Sequence, residues 1–218
     1  MLNVVVKNTE RFLLSVPKTK RKKYGQFFTN MSTAKFMASL FCFDHSKPCL
    51  EILDAGAGTG ILATAVIQKL IDDGYKGRIH VTCYETDDFV MPVLEENMRL
   101  STVLPNVTCS IKTDNYITSQ NFSNYTHFGG EDFHYDYIIG NPPYLKTPKD
   151  AVEALAMPEV CYGAPNLYFL FWAMGIHNLK EGQELVYIIP RSWTSGAYFK
   201  RFREYLFREC VLTDIHLF

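Results

Sequence analysis

The residues with the clearest chemical capacity are Asn141-Pro142-Pro143-Tyr144, which follow the apolar run Tyr137-Ile138-Ile139-Gly140. A buried strand that runs straight into two prolines ends in a rigid loop, because proline fixes φ and offers no N–H. The carbonyls of such a loop are free to face a ligand. Asn141 adds an amide with one acceptor oxygen and two donor hydrogens, and Tyr144 adds a flat ring for stacking. An amino group conjugated to an aromatic ring is a poor nucleophile, since its lone pair is delocalised. If the Asn141 amide oxygen and the Pro142 carbonyl each accept one of its hydrogens, the nitrogen is drawn toward tetrahedral geometry. Its lone pair can then attack a methyl group carried on a sulfonium. This is catalysis by positioning and electrostatics, with no covalent intermediate and no metal. Asn141, Pro142 and Tyr144 are the candidate catalytic residues. Pro143, Tyr144 and Lys146 are the candidates for substrate contact, and Asn141 is also placed to touch the methyl donor. The structural alternative is an incidental Asn-Pro turn after a strand.

Three acids stand where such a donor would need them. Asp54-Ala55-Gly56-Ala57-Gly58-Thr59-Gly60 follows a short apolar run and opens a helical pattern. Its glycines permit a tight turn and close approach of backbone to a ligand. The spacing G-x-G-x-G differs from the dinucleotide fingerprint. The preceding acid, Asp54, would repel a pyrophosphate but suits a cationic aminoacyl group. Glu85 ends the next apolar run, where an acid accepts hydrogen bonds from ribose hydroxyls; Asp87 is better read as the start of a helix. Asp114 follows the third run and could accept an adenine amine, with Tyr116 packed beside the ring. Each feature alone also suits an ordinary strand-to-helix turn. Together they outline a site for an adenosine that carries an amino-acid group, as S-adenosylmethionine does.

The elements that must position these residues alternate. Strands are expected over 50–54, 78–85, 106–112, 135–140 and 184–190, with the start of a sixth over 211–218. Helices are expected over 3–16, from an N-cap at Ser32 to about Phe43, and over 60–72, 87–100, 166–178 and 198–208. Strands spaced by helices give an α/β, Rossmann-like fold with a mainly parallel twisted sheet and helices on both faces. Ligands bind such sheets at the carboxyl ends of the strands, near the point where strand order reverses. The organisation expected is an N-terminal helical segment over 1–45 and a catalytic domain over 46–218.

Composition bounds the rest. Of 218 residues, 47% are hydrophobic and 21% charged, enough for a full core. The net charge of −1 supplies no global field for nucleic acid, so any DNA contact must be local. Lys18, Lys20, Arg21, Lys22 and Lys23 form one basic run, either a phosphate contact or a solvated linker. Lys146 and Lys149 are better placed, just past the Asn-Pro-Pro-Tyr loop. Residues 145–165 hold Pro148, Pro158, Gly163 and Pro165 and are expected to order only against DNA. Tyr168, Phe169, Phe171 and Trp172 read as helix core. The six cysteines form no CxxC pair and the histidines show no ligand spacing, so reduced thiols and no metal are expected. No signal peptide or membrane span is apparent, which points to the cytoplasm of a bacterium or archaeon.

From about Lys23 to Phe218 the chain resembles the gamma-class adenine-N6 DNA methyltransferases of restriction-modification systems, the TaqI-like and type IIG-like branch. Tyr24-Gly25-Gln26-Phe27-Phe28-Thr29 is similar to that family's first cofactor motif, Asp54 to Gly60 to its glycine motif, and Asn141 to Tyr144 to its catalytic tetrapeptide. Ile188-Ile189-Pro190-Arg191-Ser192-Trp193, with Gly196 and Tyr198-Phe199, resembles its late strand and loop. The resemblance implies S-adenosylmethionine as cofactor, with Thr29, Asp54, Gly56, Gly58 and Gly60 around its methionine end and Glu85, Asp114 and Tyr116 around its nucleoside. It implies an adenine flipped out of double-stranded DNA beside Tyr144. It also implies a target-recognition domain or subunit and a restriction nuclease as partners. Asn30 stands where the family often has proline. Family members continue past the sixth strand, so this chain is expected to be a catalytic domain without its recognition part. Relatives with the same tetrapeptide act on a release-factor glutamine or an RNA base, and a cofactor-binding part without activity is a third reading.

Overall fold

The computed structural model of the chain describes residues 1–15, 29–120, 122 and 134–217. The basic run 18–23 and the motif residues 24–28 lie outside them. Five strands form one parallel sheet: β1 (Cys49–Ala55), β2 (Arg78–Tyr84), β3 (Val107–Lys112), β4 (Tyr135–Gly140) and β5 (Leu179–Tyr187), in the order β3-β2-β1-β4-β5. This is the Rossmann-like, mainly parallel arrangement expected from the alternating pattern. Strand order reverses between β1 and β4, where Asp54 pairs with Ile139. The glycine turn and the Asn-Pro-Pro-Tyr loop therefore leave the sheet side by side.

The helices are α1 (Leu2–Ser15), α2 (Met31–Ser39), α3 (Ile61–Asp72), α4 (Met91–Ser101), α5 (Val152–Ala156), α6 (Leu167–Asn178) and α7 (Lys200–Glu209). One core cluster joins Leu2 and Val5 of α1, Met37 of α2 and Val66 and Leu70 of α3 to Leu50 and Ile52 of β1. A second, on the other face, joins Phe169, Leu170 and Trp172 of α6 to Leu53, Ile138 and Phe202. β4 is buried at every position, as a central strand covered on both faces must be. Gly140 ends it because the Tyr187 ring crosses there; an added Cβ would lie 2.6 Å from that ring.

Four expectations are corrected. Asn30, not Ser32, caps α2, its side-chain oxygen accepting from Thr33 N–H at 2.9 Å. The same helix stops at Ser39, and Phe41 and Phe43 turn inward onto the Tyr137 ring. Residues 145–165 hold the helix α5 and close at their neck, where Lys146 bridges Asn166 in antiparallel fashion. No strand forms over 211–217, where Val211, Ile215 and Leu217 are exposed. Alternation makes a segment competent for a strand, but a paired neighbour is what forms one. All six cysteines are free, and only Cys83 is fully buried. No helix of the described residues is long and apolar enough to cross a membrane, and none of them cluster into a metal site.

Candidate active site

The glycine turn is built from both sides. Gly56, Gly58 and Gly60 all take positive φ, which makes the tight path possible. From β2, the Tyr84 carbonyl accepts Gly56 N–H and Ala57 N–H, each at 2.9 Å. From behind, the Thr9 hydroxyl of α1 meets the Thr59 hydroxyl at 2.8 Å, and Asn97 of α4 donates to the Thr59 carbonyl at 2.8 Å. Asn8 completes the brace by donating to Asn97 at 3.0 Å. These buried polar contacts hold the turn in one shape without using the face it turns to a ligand.

That face opens on a cavity of about 240 Å³, far larger than the ~30 Å³ share of a single water. Gly56, Ala57, Gly58 and Thr59 line it from the turn, and Glu85, Asp87 and Asp114 from the next two strand ends. Tyr116, Leu145, Leu167 and Phe171 give it apolar walls, and Thr29, Asn141 and Pro143 close the side toward β4. Four carboxylates line the cavity (Glu85, Asp87, Asp114 and Glu153), and among the described residues no lysine, arginine or histidine does. Such a lining repels phosphate and favours a cationic ligand with hydroxyls and a flat apolar ring.

Glu85 is held by three backbone donors. One carboxylate oxygen accepts Gly58 N–H and the other accepts Thr86 N–H and Asp87 N–H, all at 2.9 Å. Burial pushes its pKa up, and these bonds pull the other way. An oxygen that accepts two N–H groups has its lone pairs engaged, so the oxygen bonded to Gly58 is the one with capacity for a ribose hydroxyl. Asp87 accepts Phe89 N–H at 2.9 Å in the turn before α4; the helix itself begins at Met91 with Val90 as its N-cap, not at Asp87 as the sequence suggested.

Asp54 differs from its expected role. It is fully buried and does not line the cavity; one oxygen accepts Ala63 N–H at 3.0 Å, fixing the start of α3, and the other has no hydrogen-bond partner. Burial, against the Ala63 bond and with a smaller push from the nearby Glu85 charge, raises its pKa to about 7. Gly60 also lies off the cavity, packed on Met98 so closely that an added Cβ would be 2.5 Å from its terminal methyl. Tyr116 lines the cavity, with its hydroxyl donating to Asn178 at 2.8 Å.

At the Asn-Pro-Pro-Tyr loop, the Asn141 amide donates to the Thr29 hydroxyl at 3.1 Å, joining the first motif to the fourth strand end. The Tyr144 hydroxyl lies 2.8 Å from the Asn141 amide oxygen and 2.9 Å from the Ile188 carbonyl. The oxygen assigned to a substrate amine thus already receives a hydrogen bond. Burial pushes the Tyr144 phenol up to about 12, so it stays a neutral donor. Pro142 is buried, Tyr144 stands outside the cavity, and Lys146 is exposed on the neck of the 145–165 excursion. Sequence reasoning missed Phe171, Leu145, Leu167 and Glu153. Phe171 was read as helix core, yet it is only partly buried and faces the cavity, beside Gly56.

The chain is similar to known proteins in sequence and in fold. Residues 62–218 match the family model for the Eco57I restriction-modification methylase. The chain is 34% identical to the type II methyltransferase M.PstI of Providencia stuartii, over 100% of this chain and 43% of that protein. It is 31% identical to M.BsuBI of Bacillus subtilis, over 91% and 40%. The chain therefore spans about two fifths of the length of these relatives. A type I restriction-modification methyltransferase subunit from Streptococcus thermophilus shares the fold, with a TM-score of 0.64 at 19% identity over 84% of this chain and 39% of that one. With the glycine turn, the acid-lined cavity and the Asn-Pro-Pro-Tyr loop gathered at one end of the sheet, this chain belongs to the Eco57I restriction-modification methylase family.

Proposed function

We propose that this chain is the cofactor-binding and catalytic part of a site-specific DNA methyltransferase that transfers a methyl group from S-adenosylmethionine to adenine N6. The observation that carries the reading is the cavity with four acids in its lining that opens directly onto Asn141 and Pro143. A sulfonium donor with an ammonium group and a ribose fits that charge and polarity, and a nucleotide phosphate does not. Bound S-adenosylmethionine supplies a methyl group on a positively charged sulfur. Thr29 and the turn from Gly56 to Thr59 would hold its methionine end, Glu85 a ribose hydroxyl, and Asp114 and Tyr116 the adenine. Asp54 would act from beneath, fixing the start of α3 through Ala63.

Toward the substrate, the Asn141 amide oxygen and the Pro142 carbonyl accept the two hydrogens of the target amine. Charge that develops on that nitrogen is stabilised by these two oxygens, fixed beforehand by the prolines and by Thr29. The Tyr144 hydroxyl would leave Asn141 as the amine arrives, freeing the ring to stack on the flipped base. Double-stranded DNA is the proposed partner. Lys146 and Lys149 on the exposed neck are proposed phosphate contacts, and a recognition domain or subunit and a nuclease would complete the system.

The test is a tritiated-methyl transfer assay that offers duplex DNA, RNA and release-factor protein in parallel. Label in adenine N6 of DNA is the expected result. Label in protein or RNA alone would sink the reading.

A further inference from the structure

The fourth acid of the cavity has no counterpart among the residues that the sequence pattern singles out. Glu153 sits on α5, at the far point of the excursion that leaves the sheet after Tyr144 and returns at Asn166. The excursion is closed at its neck by two backbone bonds, Leu167 N–H to the Leu145 carbonyl at 2.8 Å and Thr147 N–H to the Pro165 carbonyl at 2.7 Å. Leu145 and Leu167, the two residues at that neck, themselves line the cavity. Past the neck the segment is anchored by buried Ala154, Ala156, Met157 and Val160. Glu153 is thus delivered to the cavity from a packed element.

Its partner is also fixed. Asn115 follows Asp114 at the end of β3, and its amide oxygen accepts Ile117 N–H at 3.0 Å and Thr118 N–H at 3.3 Å. Those two bonds set the amide's orientation and turn its NH₂ outward, where it donates to a Glu153 carboxylate oxygen at 2.7 Å. Asp114, Asn115, Tyr116 and Glu153 all line the cavity. Two carboxylates therefore flank the end of the cavity given to the adenine ring, one from a strand tip and one from α5.

We infer that Glu153, oriented by Asn115, is a cofactor-specificity residue that with Asp114 recognises the exocyclic amine of the cofactor's adenine. The inference rests on the cofactor reading above. An amine presents two hydrogens, so two acceptors on one edge can engage both, and a 6-oxo purine in the same place would meet two carboxylates with a carbonyl oxygen. Asp114 is exposed and Glu153 partly buried until a ligand covers them; a site that hydrogen-bonds an amine then discriminates against an analogue without one, because the covered acceptors are left unpaired.

The experiment is calorimetric titration of the full chain with S-adenosylhomocysteine and with its 6-oxo analogue, S-inosylhomocysteine. For the wild-type chain, the adenosyl compound should bind at least about tenfold more tightly, the scale of one hydrogen bond to a charged group. Glu153→Ala should weaken the adenosyl compound by about tenfold and leave the inosyl compound within twofold, so that discrimination collapses. Glu153→Gln, which keeps the size and the Asn115 contact, should lose part of it, and Asn115→Ala should lose less than Glu153→Ala. Circular dichroism melts of each variant establish that the chain is folded. Equal weakening of both ligands by Glu153→Ala, or no weakening of either, would overturn the inference while leaving the cofactor reading intact. Failure of the wild-type chain to bind S-adenosylhomocysteine at all would instead overturn that reading, and this inference with it.

Discussion

Asp54 and Asp136 are both buried, on the neighbouring strands β1 and β4, but at opposite ends of the sheet. Asp136, at the start of β4, is fully engaged. Its oxygens accept Glu51 N–H at 2.8 Å and face the Lys47 and Lys180 ammoniums at 2.7 and 3.2 Å. Burial alone would raise its pKa, but the Glu51 bond and the two lysines hold it below the ordinary carboxylate value. Asp54, at the end of β1, has one backbone bond and one unpartnered oxygen, and its pKa rises to about 7. The same side chain is a completed tie at the amino end and an incompletely satisfied group at the carboxyl end. The unused polar capacity lies beneath the cavity and off its lining, at the end where the glycine turn and Asn141 emerge. Complete use of such capacity at the other end is what a stable sheet requires.

The largest expected effect falls on the completed tie. Asp136→Ala leaves a backbone N–H without its acceptor and two part-exposed lysines without their carboxylate, and should lower unfolding free energy by about 2–4 kcal/mol once solvation of the lysines is allowed for, read by urea denaturation. Next comes pH, where the two aspartates should act with opposite sign. Asp54 has a folded pKa above its unfolded value of 3.8. Its contribution is favourable below about pH 4 and is lost as pH rises through about 7. At about 1.4 kcal/mol per unit, discounted for local relaxation, that loss is roughly 2–3 kcal/mol. Asp136 has a depressed folded pKa, so its stabilisation is present above the ordinary carboxylate value and is lost as pH falls below it. Asp54→Asn should flatten the decline between pH 4 and 7 in denaturation curves and leave the acid-side loss in place. A decline undiminished in Asp54→Asn would break the comparison; a smaller residual one belongs to Glu85, whose pKa burial also raises.

Smaller effects are expected behind the glycine turn. Asn97→Ala removes the donor to the Thr59 carbonyl and should weaken S-adenosylhomocysteine binding by about tenfold, with roughly 1–3 kcal/mol of stability lost. Thr9→Val removes one buried hydroxyl pair and should cost about 1 kcal/mol, with affinity changed less than twofold. If the two variants weaken binding equally, the brace is not centred on Asn97.

Much of this site was legible because its residues sit immediately after strands. Glu85, Asp114 and Asn141 are each fixed by a strand's end, and an apolar run locates that end in the sequence. Glu153, Leu145 and Leu167 were illegible for the converse reason. They reach the cavity only because residues 145–165 fold back and close on themselves, and Pro148, Pro158, Gly163 and Pro165 make that stretch read as a loop. Phe171 was misjudged because α6 is apolar nearly all round, so periodicity does not single out a cavity-facing position. Asp54 was assigned to the ligand because its position beside the glycines is visible in sequence, whereas the inward turn of its side chain onto Ala63 is not. The strand expected over 211–218 depended on pairing that a single segment's alternation does not encode.

The central claim is that cofactor binding and amine chemistry are separable here, the first resting on the acid-lined cavity and the second on the Asn141 oxygen. The direct measurement is Asn141→Ala, read by calorimetric titration with S-adenosylhomocysteine and by methyl transfer to adenine in duplex DNA. Affinity within a few-fold of the wild-type value, with transfer reduced by more than about a hundredfold, is the predicted result. Transfer that survives the substitution, or affinity that collapses with it, would contradict the account.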